Sequence, residues 1–193
     1  MNAPAWLILA GAYVIGSFPT AYIISRRYGV DLRRTGDGNL GARNAYLTVS
    51  HVAGVTIAAV DIFKGMLAVW LAKVLSSETL LPYLAAVAVA LGHDFSVFAR
   101  FQGGQGMAAI LGGMVILQPR EALLGIAAAL LVLSLIRHWD LAWLIGFAGM
   151  FGLGLYFGRP VMQAVLVACL FLTMGVKKVA DAPLRQHIRG GRP

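Results

Sequence analysis

The chain has 193 residues, of which 59% are hydrophobic and 12% charged, and its mean hydropathy is +0.77. A water-soluble domain carries about 25% charged residues, so the composition excludes an ordinary soluble enzyme, a disordered chain and a fibrous repeat, and it indicates an integral membrane protein. The single cysteine, Cys169, permits neither an intrachain disulfide nor a cysteine metal cluster. The net charge of +8 comes from residues between apolar runs, which fits lipid headgroups as partners better than nucleic acid.

The apolar runs predict an all-α membrane bundle of about seven transmembrane helices, several of them short, in a single domain over residues 1–193. The predicted spans are 4–25, 52–72, 80–99, 106–118, 122–136, 141–157 and 160–176. Short breaks between the last four spans predict tight antiparallel hairpins. The small-xxx-small spacing of Gly154 and Gly158 predicts close helix approach there. The first run has no basic segment or cleavage site ahead of it, so we expect a retained span rather than a signal peptide.

Cations are distributed unevenly between the two sides of this arrangement. Twelve Lys and Arg residues fall on one side, whereas Lys73, Arg120 and Arg159 fall on the other. Because positive charge accumulates in cytoplasmic loops, we predict an outside N-terminus and a basic cytoplasmic tail over 177–193. A helix continuous over 106–136 would place Gln118 and Glu121 in hydrocarbon without a visible partner, which favours a break between the fourth and fifth spans.

The loop after the first span is the most informative polar segment. Glycines let backbone N–H groups converge, and such a concavity beside a helix start binds phosphate or carboxylate oxygens. The alternative is a flexible connector, although a connector rarely needs two asparagines and so many glycines within nine residues. The candidate binding residues in this loop are Arg33, Arg34, Gly36, Gly38, Asn39, Gly41, Arg43 and Asn44.

A second polar cluster follows the third span. His93 lies near the end of that span, where a titratable group needs a partner or a function; a structural, hydrogen-bonded histidine is an equally good interpretation. Gly103, Gly104 and Gly106 then open the fourth span and are candidates to offer amides to an anion. In the second span, Asp61 and Lys64 are three residues apart, and we predict that they form a buried structural ion pair.

In order and spacing these segments resemble the bacterial acyl-phosphate-dependent glycerol-3-phosphate acyltransferases. The family's first pattern is approximately D-I/L-R-x-x-G-S-G-N-I/P-G-A-T-N, which matches residues 31–44, and its later patterns match 61–65 and 92–106. The resemblance implies a seven-helix enzyme of phospholipid synthesis in a bacterial inner membrane. Its implied reaction moves an acyl group from acyl phosphate to the 1-hydroxyl of glycerol 3-phosphate, giving lysophosphatidic acid, without a cofactor.

The chain departs from the family pattern at charged positions. Aspartates replace two family serines, an arginine replaces a threonine, and uncharged residues replace three family cations; these positions are Asp37, Asp140, Arg43, Leu47, Gln102 and Gln105. The expected site therefore changes by about −4 charges, and a unit charge within about 4 Å of a phosphate contributes roughly 4 kcal/mol before solvent compensation. Either the loop arginines have replaced the lost contacts, or a divalent metal bridges Asp37 and Asp140 to a phosphate.

Two functional hypotheses follow from these residues. The first is a membrane acyltransferase with an altered phosphate site, acting on glycerol 3-phosphate or another phosphorylated or polyol acceptor, in which His93 or Asp37 removes the hydroxyl proton. The second is a catalytically silent homologue that binds an anionic lipid or regulates a partner enzyme. A small transporter fits less well, because the polar residues cluster at one face rather than at the midplane. Both hypotheses require Asn39 and Gly104 to meet in one pocket.

Overall fold

The computed structural model describes residues 3–182, and this part of the chain is all-helical. Its nine α-helices are α1 (Ala5–Ser17), α2 (Thr20–Arg27), α3 (Ala42–Thr48), α4 (His51–Leu75), α5 (Leu81–Asp94), α6 (Met107–Leu117), α7 (Pro119–Ile136), α8 (Trp139–Tyr156) and α9 (Val161–Ala180). Short 3-10 helices lie at Leu32–Arg34 and Val97–Ala99. The predicted tail from 183 onward lies outside the described residues.

The apolar segments confirm the predicted membrane bundle. Six described segments are long and apolar enough to cross a membrane: Ala5–Arg27, His51–Leu75, Leu81–Ala99, Pro119–Ile136, Trp139–Tyr156 and Val161–Ala180. The seventh, α6, has 11 residues, which is a length of about 17 Å against a hydrocarbon core of about 30 Å. The last helix continues beyond its predicted end at 176, so Lys177 and Lys178 belong to α9 and not to a solvated tail.

The main helix contacts include one antiparallel hairpin, α7 with α8, and two parallel pairs, α1 with α5 and α4 with α6. Helix α5 also contacts α4, α6 and α9. The largest cluster of buried apolar side chains includes Ile110 and Met114 of α6, Phe147 and Met150 of α8, and Val167 of α9. Short α6 is therefore enclosed by longer helices, and its N-terminus is held at one end of the bundle.

Close helix approach occurs at glycines other than those predicted. A Cβ on Gly65 of α4 would overlap the carbonyl oxygen of Ala109 on α6, and Gly125 of α7 lies directly against Gly146 of α8. The prediction for Gly158 is wrong: it lies in the α8–α9 turn with a φ of +74°, and a Cβ there would meet nothing within 4 Å.

The break between α6 and α7 contains a buried acid with a partner that the sequence analysis missed. Glu121 is fully buried, and the Arg159 guanidinium donates to its two carboxylate oxygens at 2.7 and 3.1 Å. Such a bidentate pair satisfies a carboxylate in an apolar environment better than a single contact does. The absence of a partner therefore does not explain the break; Pro119, which begins α7, does.

The two ends of the bundle differ in charge as the seven-span arrangement predicts. Lys73 and Arg159 line one cavity, and Arg120 lies over the Phe157 ring at the same end of the bundle. The opposite end carries the loop between α2 and α3, the N-termini of α6 and α8, and the C-terminus of α9. The polar segments singled out from the sequence therefore share one end.

Substitution of a close-approach glycine should separate α4 from α6. We expect Gly65→Ala to lower the free energy of unfolding by about 1–3 kcal/mol, because the new methyl group overlaps backbone atoms that cannot move independently. In the control Gly149→Ala, the methyl group meets nothing within 4 Å, so the helix should gain about 0.5–1 kcal/mol. Thermal unfolding in mild detergent measures both, and equal melting temperatures would contradict the packing described.

Candidate active site

Asn44 on α3 holds the first polar loop in shape. Its side-chain Nδ2 donates to the carbonyl oxygens of Leu32, Thr35 and Asn39 at 3.3, 2.9 and 3.0 Å. Its Oδ1 accepts from the backbone N–H of Asp37 at 3.3 Å. The Asn44 side chain is buried. These contacts show that the Asn44 side chain holds the backbone of the loop together, whereas the sequence analysis predicted that it binds substrate.

Two of the loop's predicted binding residues, Gly36 and Arg33, stabilise the conformation of the loop itself. Gly36 has a φ of +68°, and a Cβ there would overlap Asn44 Oδ1, so the turn requires glycine. Arg33 donates to both oxygens of Asp31 at 3.0 and 2.9 Å, and Arg26 of α2 donates to the same carboxylate at 3.0 Å. These arginine contacts lower the pKa of Asp31 from 3.8 to about 2, with the Arg33 hydrogen bond the largest cause. Arg33 therefore anchors the start of the loop.

A buried charged pair lies behind His93. Lys64 Nζ lies 2.8 Å from Asp61 Oδ1, which confirms the predicted ion pair, and it donates to the carbonyl oxygens of Gly16 and Phe18 at 3.3 and 2.9 Å. Asp61 Oδ1 also lies 3.8 Å from His93 Nδ1. The charge on Asp61 is thus balanced by lysine while the carboxylate faces one edge of the imidazole ring.

The two glycine-containing loops meet at His93. A Cβ on Gly104 would overlap His93 Nε2 and lie 2.9 Å from the Leu40 carbonyl oxygen, so Gly104 lies next to the residue that follows Asn39. The two segments therefore meet as expected, although Asn39 and Gly104 line two adjoining cavities and not one pocket. The amides do not converge freely, however, because the N–H of Gly104 donates to the His93 carbonyl and that of Gly38 to the Thr35 carbonyl, each at 3.2 Å. At these positions glycine permits close packing.

A cavity of about 350 Å³ opens beside this junction. Seven of the predicted site residues line it: Asp37, Asn39, Gly41, Arg43, His93, Gly106 and Asp140. Gly103 and Gly104 line a smaller adjoining cavity that also contains His93. Five other predicted residues lie outside both linings: Arg33, Arg34, Gly36, Gly38 and Asn44. The structure therefore brings most of the predicted residues of the two loops together and assigns the remainder to the surrounding framework.

The cavity combines an apolar interior with a charged rim. Leu111 and Trp143 are buried in its wall. At the rim, Arg43 Nη1 lies 3.9 Å from Asp37 Oδ2 and its guanidinium lies over the Trp139 ring at 5.7 Å. This arrangement can accommodate a ligand that has an apolar chain and a charged head.

Sequence reasoning missed Lys178, which completes the rim. Lys178 Nζ lies 2.7 Å from Asp140 Oδ1, and both residues line the cavity. The sequence could have indicated this residue if the last helix had been extended by one turn beyond its apolar run. Within residues 3–182 no group of three His, Cys, Asp or Glu residues is placed to hold a metal ion. If a metal ion bridged Asp37 and Asp140, no third ligand of these residue types would be available among the described residues.

The bundle and its cavity define an integral membrane protein whose site suits an amphiphilic substrate. A family model described as Glycerol-3-phosphate acyltransferase matches residues 6–181. The chain belongs to this family and is an acyltransferase-like membrane enzyme.

Relatives and solved structures agree with this assignment. A glycerol-3-phosphate acyltransferase of Thermus thermophilus is 38% identical over 173 residues, covering 89% of this chain and 84% of the relative. One from Geobacter sulfurreducens is 36% identical over 185 residues, covering 95% and 91%. The crystal structure of PlsY (YgiH), an integral membrane glycerol 3-phosphate acyltransferase, in its glycerol 3-phosphate form has a TM-score of 0.82 at 28% identity, covering 91% of this chain and 90% of that one.

Replacement of the Asn44 amide should loosen the loop. Asn44→Asp keeps the size of the side chain but directs a carboxylate at three carbonyl oxygens, and we expect a loss of about 3 kcal/mol in stability. Hydrogen exchange of residues 31–44 should become faster. Asn39→Asp is the control because it adds the same charge in the same loop, and equal exchange in the two variants would argue against the proposed role of Asn44.

The Asp31 cluster predicts a pH-dependent contribution to stability. Because the folded-state pKa of Asp31 is about 2 and its ordinary value is 3.8, the contribution is complete above the ordinary value and is lost as pH falls towards 2. We expect Asp31→Asn to lower stability by about 1 kcal/mol at about pH 7 after solvent screening. Thermal unfolding should show this difference shrinking by more than half at about pH 2.5; a constant difference would contradict it.

Proposed function

We propose that the protein transfers an acyl group from acyl phosphate to the 1-hydroxyl of glycerol 3-phosphate, or to a related phosphorylated or polyol acceptor, through an altered phosphate site. The carrying observation is the cavity of about 350 Å³ that joins His93, an apolar wall and a charged rim in a chain of this family. We place the protein in a bacterial inner membrane, with its N-terminus outside and the cavity and C-terminus on the cytoplasmic side, because the cation-rich end favours the cytoplasm.

The lining suggests how the substrates are arranged. Apolar side chains such as Ile62, Leu111 and Trp143 suit the acyl chain, since they remove it from water without exposing polar groups. The guanidinium of Arg43 lies at the rim and suits a phosphate oxygen. The reacting carbonyl would then lie between these regions, beside His93.

Acyl phosphate makes modest chemical demands on the protein. The acceptor hydroxyl oxygen forms a bond to the acyl carbon, the bond from that carbon to the phosphate oxygen breaks, and inorganic phosphate leaves with the bonding electrons. The hydroxyl proton passes to His93. Because the leaving group is already good, the protein mainly orients the alcohol and stabilises charge.

His93 suits the role of proton acceptor better than Asp37. Its Nδ1 faces Asp61 Oδ1 at 3.8 Å, and the ion pair between Asp61 and Lys64 balances the charge of that carboxylate. Asp37 Oδ1 already accepts the backbone N–H of Asn39 at 3.1 Å, and its other oxygen faces Arg43. Both carboxylate oxygens of Asp37 are therefore already engaged in local contacts, whereas a general base needs an oxygen that can accept the proton.

The direct test is lysophosphatidic acid formation by purified protein supplied with acyl phosphate and glycerol 3-phosphate, with and without Mg²⁺. We expect turnover, and a reduction in kcat of about 10²-fold or more in His93→Gln, because the proton acceptor is removed. His51→Gln is the matched control, since His51 stacks on Tyr46 at 4.3 Å and is absent from the cavity lining. Unchanged kcat in His93→Gln would refute the role of His93.

Other outcomes of this assay change the functional assignment. Turnover with an acyl thioester but not with acyl phosphate would show that the donor is an acyl thioester and that the proposed donor is wrong. A lack of turnover with every donor, together with a phospholipid retained in stoichiometric amount after mild detergent purification, would support the silent lipid-binding homologue instead.

A further inference from the structure

Two adjacent lysines at the end of α9 have different surroundings. Lys177 is buried, donates to Asp181 Oδ1 at 2.6 Å and lies over the Phe95 ring at 5.2 Å. It therefore fixes the last turn of α9 against the segment that follows α5. Lys178, the next residue, extends to the cavity rim, where its Nζ lies 2.7 Å from Asp140 Oδ1. The two neighbouring lysines thus face different parts of the protein, Lys177 the segment after α5 and Lys178 the cavity rim.

The rim contains two cations, each facing a carboxylate of the same rim. Arg43 faces Asp37 at 3.9 Å, and Lys178 faces Asp140 at 2.7 Å. Among the described residues that line the larger cavity, these are the Lys and Arg side chains. In the loop before α6, Arg100 lies outside the cavity lining, and positions 102 and 105 are glutamines.

Backbone amides do not replace the missing cations at the positions described above. The N–H groups of Gly38 and Gly104 donate to carbonyl oxygens within the protein. Among the described residues that line the cavity, the Lys and Arg side chains that a phosphate can meet are the two rim cations. Of the two, the ammonium of Lys178 is the compact point charge that can turn from a carboxylate to a phosphate oxygen through its flexible stem.

We propose that Lys178 is a phosphate-binding residue of the site, that Asp140 positions it before the substrate binds, and that the substrate phosphate displaces Asp140. The exchange is physically feasible because the side chains of Lys178 and Asp140 are 40% and 57% exposed, and exposed ion pairs of this kind contribute little to stability. A doubly charged phosphate offers stronger charge-assisted hydrogen bonds than one carboxylate oxygen. This proposal rests on the proposed function of the cavity, and the phosphate belongs either to the acceptor or to the acyl donor.

Substitutions of the two partners should act in opposite directions. We expect Lys178→Gln to raise the KM of the substrate whose phosphate it contacts by about tenfold, equivalent to about 1.4 kcal/mol, and Lys178→Arg to restore most of the loss. Asp140→Asn should lower the same KM by about threefold, because a competing carboxylate is removed. The KM that changes, for glycerol 3-phosphate or for acyl phosphate, identifies the source of the phosphate. Lys73→Gln, at the other end of the bundle, is the matched control.

A structural role for the pair predicts a different pattern. If Lys178→Gln and Asp140→Asn raise the KM equally and lower the melting temperature equally, the pair merely supports the fold and the proposal is wrong. The proposal is also wrong if neither KM changes in Lys178→Gln.

Equilibrium binding separates this proposal from the proposed function. Calorimetric titration of the detergent-solubilised protein with glycerol 3-phosphate and with inorganic phosphate requires no turnover. If the wild-type protein binds either ligand without catalysing transfer, the proposed reaction fails while about tenfold weaker binding by Lys178→Gln still supports the phosphate site. If the wild-type protein binds neither ligand, both proposals fail.

Discussion

The buried ion pair between Asp61 and Lys64 is the interaction on which the arrangement of the site depends. The first span breaks at Pro19, and a helix break inside a membrane protein leaves carbonyl groups that the protein itself must satisfy. Lys64 does so by donating to the carbonyls of Gly16 and Phe18, and its charge is balanced by Asp61. One pair thereby joins the break in the first span to α4 and brings a carboxylate to the edge of His93.

Satisfaction of polar groups within the protein also explains how the two loops behave. The Asn44 amide bonds to three carbonyl oxygens and one backbone N–H, so the first loop is organised from within. The amides of Gly38 and Gly104 are likewise paired internally. These hydrogen bonds give a rigid wall, and the charges that face the cavity are carried by side chains at its rim.

The rim charges show how the aspartates singled out in the sequence are accommodated. Asp37 and Asp140, which the sequence analysis expected to add negative charge to the site, each face a cation, so neither is an isolated negative charge in the cavity. The expected change of about −4 charges did not count Lys178, because the sequence analysis placed that residue in a tail. Lys178 therefore brings to the rim a cation from a helix distant in sequence.

The sequence by itself determined the class of the molecule, its helical spans, the common end of its polar segments and the pairing of Asp61 with Lys64, because these follow from apolar run length, charge distribution and helical periodicity. It also identified the two loops that meet at His93, through local motifs. Only the tertiary structure decided that Arg159 pairs with Glu121, that Gly65 and Gly125 rather than Gly158 mark close approach, and that Lys178 faces Asp140. These contacts join residues far apart in the chain, and their existence depends on how the helices are rotated and packed, which no local pattern specifies.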